Sequence, residues 1–103
     1  MIDIFDDTLE HHNAELVDVT IRNLSWKYDY SSTDKGLNKH WHIFCGHTPE
    51  ECEENGYEPL LMIWEAIQRK SKVKLQMERM YLNAHTHGIE PHAHVDDGDY
   101  TII

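Results

Sequence analysis

The feature that most narrows the fold is a repeated change of hydrophobic period along one short chain. Leu9, Leu16, Val17, Thr20, Ile21 and Leu24 fall at helical spacing, with Asp6 or Asp7 placed to cap the helix and an acidic first turn that suits its dipole. A second helix is expected over Glu58–Lys70. Pro59 stands in its first turn, Leu60, Ile63, Trp64 and Ile67 form its apolar stripe, and Arg69, Lys70 and Lys72 gather where the dipole favours cations. The remaining ordered stretches alternate residue by residue, which is the period of a strand. Met1–Phe5 reads as a short strand carrying Ile2 and Ile4. Ser25–Tyr30 places Trp26, Tyr28 and Tyr30 on one side as a core stripe, and Lys39–Cys45 sets His40, His42 and Phe44 against Trp41, Ile43 and Cys45. Val73–Ala84 alternates Val73, Leu75 and Met77 with Lys74, Gln76 and Glu78 and continues to Tyr81 and Asn83 as one long strand. Helices separated and then followed by strands imply an α+β fold, two helices packed on a mainly antiparallel sheet, rather than a parallel array.

Two segments fall outside this pattern. Ser31–Asn38 is rich in Ser, Thr, Asp and Gly and reads as a loop, while Gly46–Tyr57 is acidic and turn-rich with room for one helical turn. His11 and His12 are expected to face solvent, because adjacent positions on a helix do not share a face.

Charge and length limit the functions open to such a chain. With 19 acidic residues against 9 basic ones, the formal net charge of −10 disfavours nucleic acid and anionic membrane as partners. At 103 residues the chain is expected to form a single domain, truncated, with 1–72 a helical and strand support and 73–103 the first strands of the functional core. No apolar run is long enough to span a bilayer and no basic-then-apolar leader is present. Cys45 and Cys52 match no zinc spacing and are expected as reduced thiols, which together with the missing leader points to a cytoplasmic location. There is no Gly-rich phosphate loop, G-x-S-x-G elbow or His-Glu-x-x-His helix.

The chemistry-bearing residues concentrate after the long alternating segment. From His85 to Ile103 the chain carries His85, His87, His92 and His94 together with Asp96, Asp97 and Asp99. If Ala93–Asp96 is extended, His94 and Asp96 share a face and Val95 points the other way. An imidazole and a carboxylate so placed supply two of the three ligands with which non-haem iron(II) is held in the facial arrangement of two histidines and one carboxylate.

Glu78-Arg-Met-Tyr-Leu-Asn-Ala-His-Thr-His-Gly88, followed by His94-Val-Asp96 and then Thr101-Ile-Ile103, resembles the start of the jelly-roll core of iron(II)/2-oxoglutarate-dependent dioxygenases of the prolyl 4-hydroxylase-like kind. The order of helix, Trp-containing strand and second helix upstream is similar too. The resemblance implies an incomplete double-stranded β-helix, His94 and Asp96 as Fe(II) ligands, and Tyr81 and Asn83 beside the 2-oxoglutarate co-substrate. It also implies a hydroxylase activity whose substrate is unknown. The family needs a distal histidine and a basic residue for the far carboxylate of 2-oxoglutarate, and the seven residues after Asp96 contain no His, Arg or Lys. The chain is therefore expected to be the amino-terminal half of such an enzyme, inactive alone. A homodimer is expected through exposed strand edges, with 99–103 or 73–81 joining a neighbour's sheet.

A non-catalytic reading competes with it. His85-x-His87 and His92-x-His94 flank Gly88-Ile-Glu-Pro91, a connection of hairpin length, and paired arms would bring four imidazoles to one zinc, nickel or copper ion. The spacing Gly88-x-x-x-His92-x-His94 is distantly similar to the first motif of the cupins, another family of metal-binding β-barrels.

Overall fold

A computed structural model describes residues 2–31, 39–88 and 96–103. It is an α+β arrangement of three α-helices and a three-stranded antiparallel sheet. The elements run α1 (His11–Arg22), β1 (Lys27–Tyr30), β2 (His40–Gly46), α2 (Pro49–Glu54), a 3-10 turn (Glu58–Leu60), α3 (Leu61–Ser71) and β3 (Met80–Ala84). The chain divides into two units, Met1–Leu24 with Cys45–Met80, and Ser25–Phe44 with Tyr81–Ile103.

The first unit is helical. α1 starts at His11, later than Asp6 or Asp7 would have it, and neither its cap Glu10 nor its first turn supplies the acidic capping the sequence suggested. Asp7 adopts a φ of 51°, a left-handed conformation that no right-handed helix continues through, so the helix cannot begin until the chain has turned. Residues 2–5 are not in a strand, and Ile2 and Ile4 lie in solvent. Val17 is the buried residue of α1, while Leu16 is exposed; His11 and His12 face solvent as expected.

The acidic segment after β2 forms a fully capped helix. The Glu51 amide donates to Thr48 Oγ1 at 3.1 Å, Pro49 occupies a position whose amide has no helical partner, and Glu50 and Glu51 lie at the positive end of the dipole. At the other end the Tyr57 amide donates to Cys52 O at 2.9 Å and the Gly56 amide to Glu53 O at 3.0 Å. Gly56 has a φ of 90°, so this is the paired-bond termination that glycine permits. Asn55 Nδ2 donates to Cys45 O at 2.9 Å and so binds the helix end to the residue before Gly46.

The expected second helix is present in two parts, a 3-10 turn that contains Pro59 and then α3. Leu60 and Ala66 are buried, Ile63, Trp64 and Ile67 are half-buried, and the 3-10 turn packs against all three α-helices. Lys72 ends α3 with a φ of 58°.

The stretch after α3 is where alternation misleads. Leu75 and Met77 do turn inward while Lys74, Gln76 and Glu78 are exposed, yet only Met80–Ala84 is strand. The Leu75 amide donates to Gln68 Oε1 at 3.2 Å and the Val73 amide to Ser71 Oγ at 3.3 Å. Backbone donors satisfied by the preceding helix are not offered to a ladder, so this extended segment is tied to α3 instead of lengthening β3.

The second unit holds the paired strands. The sheet order is β1-β2-β3, and β1 is antiparallel to β2 with Lys27 opposite His42, Tyr30 opposite His40 and an irregularity between them. That bulge splits the expected aromatic stripe, because an extra residue reverses which side the following side chain takes. Tyr28 meets Trp41 at a ring separation of 5.1 Å, whereas Tyr30 stacks on His42 at 3.8 Å, and both tyrosines remain substantially exposed. Residues 100–103 form no strand and are exposed, so the apolar terminal strand read from Tyr100–Ile103 is not present.

Candidate functional site

Two strand faces meet in a cluster of imidazole and phenol rings. On β2, alternation puts His40 and His42 on one side; His40 is fully buried and His42 half-buried. On β3 and just beyond it, Tyr81, Asn83 and His85 alternate in the same way. The contacts confirm an antiparallel match residue by residue. Tyr81 lies 5.5 Å from the His42 ring, Asn83 bonds His42, and His85 lies 4.5 Å from the His40 ring, so ascending β3 means descending β2. Tyr30 of β1 completes the group, stacked nearly parallel on His42 at an interplanar angle of 9° and edge-on to His40 at 5.3 Å.

One bond in this cluster fixes a chemical state. His42 Nδ1 and Asn83 Oδ1 are 2.7 Å apart. An amide oxygen only accepts, so Nδ1 carries the hydrogen and donates it, and in the neutral ring the lone pair is left on Nε2. The same bond orients Asn83, whose Nδ2 group is left as a donor.

The residues singled out in the sequence are distributed unevenly. Tyr81 is half-buried and Asn83 exposed on β3; His85 and His87 are exposed, His87 in the turn that Gly88 closes with a φ of 86°. Asp96 is half-buried. His92 and His94 lie outside the described residues, as does most of the extended stretch expected over Ala93–Asp96. Among the described residues no three or more of His, Cys, Asp and Glu are grouped to hold a metal ion. The sequence showed that His40 and His42 share a face but gave no reason to join them to Asn83 and His85. That link depends on β2–β3 register, which one strand's periodicity does not contain.

The thiols have a different character. Cys45 and Cys52 are free and completely buried. Burial, together with the neighbouring Cys52, pushes the Cys45 thiol up to about 11, and burial with the nearby Glu51 charge raises that of Cys52. Protonated, shielded thiols are poor nucleophiles and poor metal ligands, so they belong to the core.

Among the described residues no helix is long and apolar enough to cross a membrane. No family model matches the chain, and neither do the curated proteins or the solved structures.

Proposed function

We propose that the chain carries the entry strands of an iron(II)/2-oxoglutarate-dependent oxygenase of jelly-roll type, with His94 and Asp96 as iron ligands and Tyr81 and Asn83 beside the co-substrate. The observation that carries this reading is β3. It bears Tyr81 and Asn83 on one face and leads directly into a turn closed by Gly88, the order that the resembled enzymes have before their His-x-Asp pair. The donor set also fits the ion. One imidazole and one carboxylate are the mixed nitrogen and oxygen ligands that iron(II) accepts, whereas buried Cys45 and Cys52 are not suited to it.

With iron(II) and 2-oxoglutarate bound, the site would supply oxidation of an unactivated C–H bond by dioxygen. The chain's own part is positional. His42 holds Asn83 Oδ1, which aims the Asn83 Nδ2 donor, and the Tyr81 ring lies against His42 on the same face. A donor with a fixed direction binds an oxyanion at lower cost in side-chain freedom than a mobile one.

The test is iron(II) binding without oxygen, measured by equilibrium dialysis on the whole chain and on His94→Ala and Asp96→Ala. Each variant is expected to lose at least tenfold in affinity, about 1.4 kcal/mol, and 2-oxoglutarate is expected to bind only when iron is present. Equal iron affinity in all three proteins, or 2-oxoglutarate binding that ignores iron, would overturn the reading.

A second reading, a non-catalytic histidine cluster built from His85, His87, His92 and His94, is favoured by one observation. His85 lies against another imidazole, that of His40, as it would where nitrogen ligands are being collected. Metal held without any contribution from Asp96 would select it.

A further inference from the structure

We infer that His40 and His85 form a two-imidazole site for a copper(II) or nickel(II) ion, separate from the His94 and Asp96 pair. Their ring centroids are 4.5 Å apart and the planes are tilted by 39°. A nitrogen-bound ion sits about 2.0–2.1 Å from its imidazole nitrogen, hence roughly 3.2 Å from the ring centroid. Two rings sharing one ion at a tetrahedral angle would then have centroids about 5.2 Å apart, while rings at adjacent corners of a square or octahedron would be about 4.5 Å apart. The observed separation matches the second case. Square-planar and tetragonal nitrogen sites are the preference of copper(II) and nickel(II), and tetrahedral ones that of zinc.

The surroundings favour the pair as a ligand set. His40 is fully buried, with Tyr30 edge-on to its ring at 5.3 Å, so its orientation is held by packing before any ion arrives. His85 is exposed, which gives an ion a route in and leaves its remaining positions to water. The two residues sit on β2 and immediately after β3, so the strand pairing sets their separation. The net charge of −10 raises the local concentration of divalent cations.

The experiment is a copper(II) titration of the whole, tag-free chain carrying His94→Ala and Asp96→Ala together, so that the oxygenase-type ligands are gone. One ion is expected to bind, with two imidazole nitrogens in its paramagnetic resonance spectrum. Adding His85→Gln is expected to weaken binding at least tenfold, and adding His40→Gln to do the same, while His87→Gln leaves it unchanged. Because His85 is exposed, its variant stays informative even if His40→Gln fails to fold. Undiminished binding in the His85 variant would overturn the inference. So would loss of the ion already in the His94→Ala, Asp96→Ala background, which would mean one shared site. The iron(II) result with His94 and Asp96 stands or falls independently.

Discussion

Gly46→Ala isolates the tightest approach in the helical unit. A Cβ built on Gly46 would stand 2.9 Å from Cys52 N, 3.0 Å from Cys52 Sγ and 3.2 Å from the Glu51 carbonyl carbon. Two of these three neighbours are backbone atoms of α2, and α2 is fastened at both ends by the Thr48 cap and the bonds around Gly56. The helix cannot give way locally, so one methyl group must displace it as a unit. Overpacking of this kind costs about 1–3 kcal/mol. Stiffening of the unfolded chain by the added methyl returns about 0.4–1 kcal/mol, leaving a net loss on the order of 1–2 kcal/mol. In a domain of this size each kcal/mol moves the melting temperature by roughly 4–8 °C. Urea denaturation followed by circular dichroism should therefore show a lower midpoint with an unchanged slope. A Cys52→Ala background removes the sulfur contact but not the contact with the backbone nitrogen, so it should rescue the variant only in part. A Gly46→Ala protein as stable as the parent, or complete rescue by Cys52→Ala, would refute the close approach of α2 to the end of β2.

Two further outcomes follow from the same unit. Thr48→Ala removes the side-chain acceptor of the Glu51 amide and should cost about 0.5–2 kcal/mol, read as a lower urea midpoint, with Thr48→Ser largely restoring it. The raised Cys45 thiol makes stability fall with alkali: the folded state keeps its proton up to about 11 while the unfolded thiol loses it near the ordinary 9.0. That contribution is complete below pH 9 and disappears as pH climbs towards 11, so the melting temperature should decline more steeply across this window than in Cys45→Ala.

How much of this was legible in the sequence depends on whether a feature is local. The α3 stripe and the alternation of β2 are properties of single segments, and periodicity found both. The start of α1 was misjudged because the left-handed turn at Asp7 leaves no mark on the apolar spacing. β3 was read too long because Gln68 and Ser71 satisfy amides that an alternating pattern assigns to a ladder. The aromatic stripe was placed on one face because a bulge between Lys27 and Tyr30 is a relation between two strands. For the same reason His40 and His42 could be seen to share a side, while their partners Asn83 and His85 could not. The α+β class needed only the order of elements, and that order was readable.

The account rests on the register that sets His42 against Asn83 and His40 against His85. Long-range nitrogen–proton correlation spectra of the histidine rings test it most directly, recorded with through-space transfer between ring protons. The account predicts that His42 carries its hydrogen on Nδ1, that Asn83→Leu abolishes this preference, and that His40 and His85 ring protons exchange magnetisation. A His42 ring protonated on Nε2, with no transfer between His40 and His85, would contradict it.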